Sequence, residues 1–241
     1  MPANTWTPIA LASEARPWEG GGWRAVEAQH KVATMSLVHG SLADQKLLED
    51  ILEEVKPVLP ADAQELHWLL STPFRYYPLP DGSRFRRRGD PGVFYGAEDR
   101  ETACAESGYW RLRMWMDSEG LSGQQKAVPI TLFEFCAATD KSIDLTVPPL
   151  SVDREIWTAS AVYGSTQLLA DDAREAGVEV IRYASVRNPG SYCLALLTPQ
   201  VFRRVKAPYW GSQQTWTLLI EPPNLVVWQR DIAPETWAFR F

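Results

Sequence analysis

The residues with the most capacity for chemistry crowd into one stretch, Thr72 to Arg113, which reads TPFRYYPLPDGSRFRRRGDPGVFYGAEDRETACAESGYWRLR. Arginines stand at 75, 84, 86, 87, 88 and 100 beside aromatic residues, in a chain whose net charge is −6. Guanidinium forks pair bidentately with phosphate oxygens, and glycines at 89 and 92 would let backbone amides approach the same anion. A tyrosine such as Tyr95, at the end of a strand, can offer its face to a planar ring. The apolar run Val93 to Tyr95 turns through Gly96 into a helix carrying Glu106. Basic groups, ring faces and one carboxylate thus meet on a strand–turn–helix unit suited to an anionic, ring-bearing ligand.

Each of these residues also has a plainer reading. Most helical glutamates are solvated, and residue chemistry alone favours that for Glu106. The arginine run fits a charged loop in water, and it follows Pro80-Asp81-Gly82. Tyr76, Tyr77 and Tyr95 fit core rings, and Ser185 fits a turn.

Other chemistries are harder to build. The three histidines, His30, His39 and His67, all fall in the front third, so a Ser-His or Cys-His pair in the remainder would have to borrow one. No Cys or His pair has metal-ligand spacing, and no metal is expected. Cys104, Cys136 and Cys193 are odd in number, far apart and set in apolar sequence, which reads as reduced core thiols. Neither GxGxxG nor GxxxxGK[ST] occurs.

Composition bounds the rest. The 241 residues, 45% apolar and 22% charged, fit one domain with or without an appendage. A sequence pI near 5.2 argues against general nucleic-acid binding. The eleven tryptophans are not interleaved with lysine and arginine as a single-strand groove requires, and they are compatible with a homodimer. No apolar stretch approaches a membrane span, and the first residues lack a secretory pattern; the expectation is a cytoplasmic protein.

Three prolines and Gly20-Gly21-Gly22 mark the first twenty-two residues as an extended arm. Loose helical spacing from Trp23 to Val38, a helix capped by Ser41 and running to Val55, and a short helix from Asp62 to Leu70 follow. Residues 1–70 are therefore expected to be an arm with a helical appendage, and residues 71–241 the main domain. That domain should carry strands at Val128–Cys136, Ser142–Thr146, Val178–Val186, Cys193–Leu197, Thr215–Ile220 and Leu225–Gln229, with a helix capped by Ser165. Strands without regular strand–helix alternation favour an α+β fold with a mixed, largely antiparallel β-core.

The segments SRF, PGVFYGAEDRETACAE and YASVRNPGSYCLALL resemble the RES domain, named for its arginine, glutamate and serine; the likeness covers roughly Pro73 to Phe241. The resemblance implies a fold similar to ADP-ribosyltransferase toxins. It also implies a toxin of a bacterial toxin–antitoxin pair that cleaves the nicotinamide–ribose bond of NAD. Carried over by position, the family arginine falls on Arg84, with Arg86 one shift away, and the family glutamate and serine on Glu106 and Ser185. An earlier arginine–tyrosine pair falls on Arg75 and Tyr76, and the tyrosine on Tyr95. Glu106, Arg84 and Ser185 would be catalytic, while Arg75, Tyr76, Arg86 and Tyr95 would bind NAD.

NAD would be a substrate rather than a cofactor, with inorganic phosphate a candidate co-substrate. Phosphate as acceptor makes the enzyme an NAD phosphorylase, water an NAD glycohydrolase, and a protein side chain an ADP-ribosyltransferase. An inactive nucleotide- or partner-binding module stands as the alternative outside enzymes. The implied partner is an Xre-type antitoxin, and the front helices could instead restrain the cleft in cis.

Overall fold

The structure, a computed structural model, describes residues 6–28, 41–78, 80, 82–121, 127–203 and 210–241. Eight strands are present: β1 (Arg16–Glu27), β2 (Phe94–Ala97), β3 (Ala127–Asp144), β4 (Val180–Ala184), β5 (Tyr192–Leu196), β6 (Trp210–Glu221), β7 (Leu225–Arg230) and β8 (Thr236–Arg240). They form one sheet in the order β1-β2-β5-β4-β3-β6-β7-β8. An additional β1–β3 ladder closes the first five into a ring. Among these pairings only β3–β4 is parallel, so the sheet is mixed and largely antiparallel, as the strand pattern led one to expect.

β3 explains its own composition. Ile130 and Leu132 pack into one core, while Phe133 and Phe135 pack into a second with Phe94 and Phe202. A strand covered on both faces needs a near-continuous apolar run rather than strict alternation. The Phe94 ring stands edge-on to Phe135 and Phe202, with centroids 4.8 and 5.1 Å apart. The helices α1 (Pro8–Glu14), α2 (Leu42–Glu54), α3 (Trp68–Arg75), α4 (Arg100–Met116), α5 (Arg154–Trp157) and α6 (Gly164–Glu175) surround this sheet. Ser41 caps α2 as expected, its Oγ accepting from the Asp44 amide at 3.3 Å.

The front of the chain differs most from expectation. In place of an extended arm, Pro8–Glu14 is helical and Arg16–Glu27 is a twelve-residue strand, so the helix expected from Trp23 begins instead as sheet. The rest of that expected helix, with His30, His39 and the Gly40 stop, lies outside the described residues. Gly20-Gly21-Gly22 is part of the strand because the Phe135 ring closes on it. A Cβ on Gly22 would lie 2.7 Å from Phe135 Cζ and 2.8 Å from the Ala97 carbonyl oxygen. Glycine here permits close approach inside a strand rather than marking a linker.

Smaller differences follow from packing. Ser142–Thr146 does not form its own strand but continues β3 to Asp144. The short helix after Asp62 splits into a 3-10 turn at Ala61–Ala63 and α3, which His67 caps by accepting from the Leu69 amide. α6 starts after Tyr163 rather than at a Ser165 cap. β8 was not anticipated. Because β1 pairs with β2 and β3, the sheet extends to the N-terminal side of the boundary placed at residue 70.

Candidate active site

α4 is the element that carries Glu106. Asp99 caps it, accepting from the Thr102 amide at 2.7 Å and from the Thr102 hydroxyl at 2.8 Å. Ala103, Glu106, Ser107, Trp110, Arg111 and Met114 recur at helical spacing and form one wall of a cleft of about 400 Å³. The opposite side comes from β1 (Trp23, Arg24, Ala25), β2 (Tyr95, Gly96), Tyr183 of β4, Cys193 of β5 and the loops carrying Ser83, Arg84, Tyr163 and Arg187.

Ser185 follows β4 directly and is buried. Its hydroxyl donates to Glu106 Oε1 at 2.7 Å and accepts from the amides of Arg187 at 3.2 Å and Asn188 at 3.0 Å. Two amide donors leave the hydroxyl proton free to point at the carboxylate, so Ser185 fixes the Glu106 side chain. The Cys193 thiol also faces Oε1, at 3.8 Å. Burial, then the nearby Glu106 carboxylate, pushes that thiol well above its ordinary range, so it stays protonated and is no nucleophile at neutral pH. Among the described residues, Glu106 has no ion-pair partner, although the cleft also holds Arg24, Arg84, Arg111 and Arg187.

Arg84 is set by a tight turn. Ser83 and Arg86 exchange backbone hydrogen bonds, at 2.7 and 3.2 Å, and Gly82 enters with φ +76°, where a Cβ would lie 2.3 Å from the Arg86 carbonyl oxygen. The Tyr95 hydroxyl accepts from the Phe85 amide at 2.9 Å and bonds Ser83 Oγ at 2.9 Å. Burial pushes the Tyr95 phenol up, so it stays neutral and holds the turn. The Arg84 guanidinium then donates to the carbonyls of Trp157 at 2.7 Å and Ala159 at 3.0 Å, 4.9 Å from the Tyr163 ring.

The structure thus brings Glu106, Ser185, Arg84 and Tyr95 together and separates the other three candidates from them. Arg86, two residues past Arg84 in the same turn, points away and donates to the carbonyls of Tyr76 at 2.8 Å and Asp90 at 3.1 Å. Arg75 donates to the Pro57 carbonyl and pairs with Glu53, both at 2.6 Å, and with Tyr76 it borders a different cavity beside α2. That corrects the expected placement of Arg75, Tyr76 and Arg86 beside Glu106. Nor do α2 and α3, of the front helices, cover the cleft, since they supply none of its lining.

The front of the chain contributes through β1 instead. Arg24 donates to the Tyr95 carbonyl, lies 4.8 Å above the Phe94 ring, and leaves its Nε buried without a partner. Burial outweighs the neighbouring Tyr95 and Tyr183 and pulls its pKa down from the ordinary arginine range to about 10. Sequence reasoning missed Arg24 because it was read inside a helix after a linker; with β1 known, an arginine set between Trp23 and the apolar pair Ala25-Val26 is the signal. The Arg187 guanidinium, also missed, lies 3.4 Å over Tyr109 and donates to the Ser160 carbonyl at 2.7 Å.

A half-buried cation with a lowered pKa destabilises the fold at every pH below about 10, and the penalty fades only as pH rises from there toward the ordinary arginine range. At neutral pH it amounts to about 1–3 kcal/mol. Arg24→Met should therefore raise the melting temperature by roughly 3–8 °C. The variant should also lose the further rise that an anionic ligand such as NAD gives the unmodified protein. Differential scanning fluorimetry with and without NAD reads both effects, and a variant less stable than the parent would show that Arg24 is structural.

Comparison with known proteins places this arrangement. The RES domain model matches residues 59–221, which include Arg84, Tyr95, Glu106 and Ser185. A chain of the crystal structure of the M. tuberculosis MbcT–MbcA toxin–antitoxin complex shares the fold, with a TM-score of 0.50 at 9% identity. The match covers 88% of this chain and 93% of that one. No curated protein matches the chain significantly. With two thirds of its length under one family model and its glutamate and serine hydrogen-bonded in an arginine-rich cleft, the chain belongs to the RES domain family.

Proposed function

We propose that this protein is a toxin-type enzyme that consumes NAD by cleaving the N-glycosidic bond between nicotinamide and ribose. The observation that carries the reading is Glu106, a carboxylate with no ion pair among the described residues, fixed by Ser185 in a cleft that holds four arginines. As the bond breaks, its electron pair leaves with the nicotinamide ring nitrogen and the ribose gains oxocarbenium character. A fixed carboxylate stabilises that positive charge, and because nicotinamide departs neutral the reaction needs no general acid. Among the described residues, none that lines the cleft is a histidine.

Arg24 and Arg84 are suited to the pyrophosphate, whose binding holds the ribose against Glu106. The Tyr95 ring remains available to the nicotinamide side while its hydroxyl holds the Arg84 turn. The acceptor is inorganic phosphate, giving ADP-ribose phosphate, or water, giving ADP-ribose and a proton. The known complex of the structural neighbour supports an antitoxin as partner, and an Xre-type protein is the form we propose.

Purified protein incubated with NAD, with and without inorganic phosphate, should release nicotinamide, followed by chromatography. A product that needs phosphate identifies a phosphorylase, and an equal rate without it identifies a glycohydrolase. Folded protein that binds NAD and releases no nicotinamide would overturn the reading in favour of a binding module.

A further inference from the structure

α2 is turned inside out relative to a helix that serves only its own domain. Its buried residue is Gln45, and Glu53 on the same side holds Arg75 and Lys56, both at 2.6 Å. At 100° per residue Leu47, Ile51 and Val55 form a stripe about 80° wide, and Leu48 and Leu52 continue it round to Gln45. Leu47 is 59% exposed, Ile51 49%, Leu52 42% and Val55 73%, and Val58 just beyond the helix is 88% exposed. Scattered surface leucines need no explanation, but a contiguous apolar stripe on a helix whose polar side faces its own domain does. The stripe lies outside residues 59–221, the part that the family model matches.

Charge selects what fits there. α2 carries Asp44, Glu49, Asp50, Glu53 and Glu54 against Lys46, a net charge of −4, and Lys46 is itself paired with Asp50. A second copy would bring two such helices together within a pair of chains that each carry −6. Like charges flanking an apolar seam oppose that pairing, whereas lysine and arginine flanks complement it.

We propose that the exposed face of α2 docks a basic amphipathic helix of a separate protein, its apolar residues on Leu47, Ile51, Leu52 and Val55 and its cations on the flanking carboxylates.

The test uses the full chain and two fluorescein-labelled synthetic helices with the same leucine face, one flanked by lysines and the other by glutamates. Anisotropy should show binding of the lysine-flanked helix alone, weakening with added salt. The charge-preserving variant Leu47→Gln/Ile51→Gln/Val55→Gln should weaken it about tenfold or more. Its substitutions lie at exposed positions, and an unchanged melting curve verifies the fold. Equal binding by parent and variant would mean a merely electrostatic association and overturn the proposal, as would no binding. A parent that sediments as a dimer, and a variant that sediments as a monomer, would assign the face to a second copy. Slow maleimide labelling of Ile51→Cys in the isolated monomer would mean that the chain covers the face itself.

Discussion

Glu106→Gln should cut nicotinamide release about 10³-fold while leaving NAD affinity and the melting temperature nearly unchanged. The amide keeps the shape of the carboxylate, and its oxygen can still accept from the Ser185 hydroxyl, so the wall of α4 and the turn after β4 have no reason to move. What disappears is the negative charge beside the developing oxocarbenium ion, an interaction stronger in the transition state than in the bound substrate. A 10³-fold loss corresponds to about 4 kcal/mol of transition-state stabilisation. Single-turnover kinetics at saturating NAD isolate the chemical step. A raised KM with unchanged kcat would instead make Glu106 a binding residue, and a variant as fast as the parent would remove it from the mechanism.

The legible part of this site was local in sequence. Tyr95, Glu106 and the Asp99 cap lie within one strand–turn–helix unit, whose spacing fixes their relation before any tertiary contact forms. Arg84 and Arg86 were inseparable in sequence because the turn between them is decided by remote groups. The Tyr95 hydroxyl holds the Phe85 amide, and Gln167 of α6 donates to the Ser83 carbonyl at 3.0 Å. Only that turn shows which guanidinium faces the cleft. The fold class was legible from the apolar strands of the second half, and β3 and β5 to β7 lie close to where their patterns put them.

β1 was illegible for a physical reason. Its three consecutive glycines are a linker by composition, and only Phe135, more than a hundred residues later, makes them a strand. Arg24 was hidden with it. α2 was found correctly and, of the roles open to it as lid, packing layer or partner surface, the lid was the misjudgement: helical spacing reveals an apolar face but not the side of the molecule it meets, and here the polar Gln45 is the buried residue.

That misjudgement reverses one experiment. Read as a restraining appendage, residues 1–60 should raise activity when removed; the structure leads to the opposite result. Deletion should yield no soluble protein with a cooperative melting transition and no nicotinamide release. β1 pairs with β3 at eleven positions and closes the ring through β2 at Trp23 and Ala97. Its backbone bonds alone contribute on the order of 10 kcal/mol at about 1 kcal/mol each, comparable to the whole stability of an ordinary domain. The cut would also open a long edge on β3 and uncover Phe135, which invites aggregation. Trp23, Arg24 and Ala25 would leave the cleft with the strand. Circular dichroism melting and size-exclusion chromatography of the truncated chain check the outcome. A folded, active truncation would show that β1 is dispensable and restore the appendage reading. A failed one shows that the fold depends on β1, which lies ahead of the segment that matches the RES family and lines the cleft through Trp23, Arg24 and Ala25.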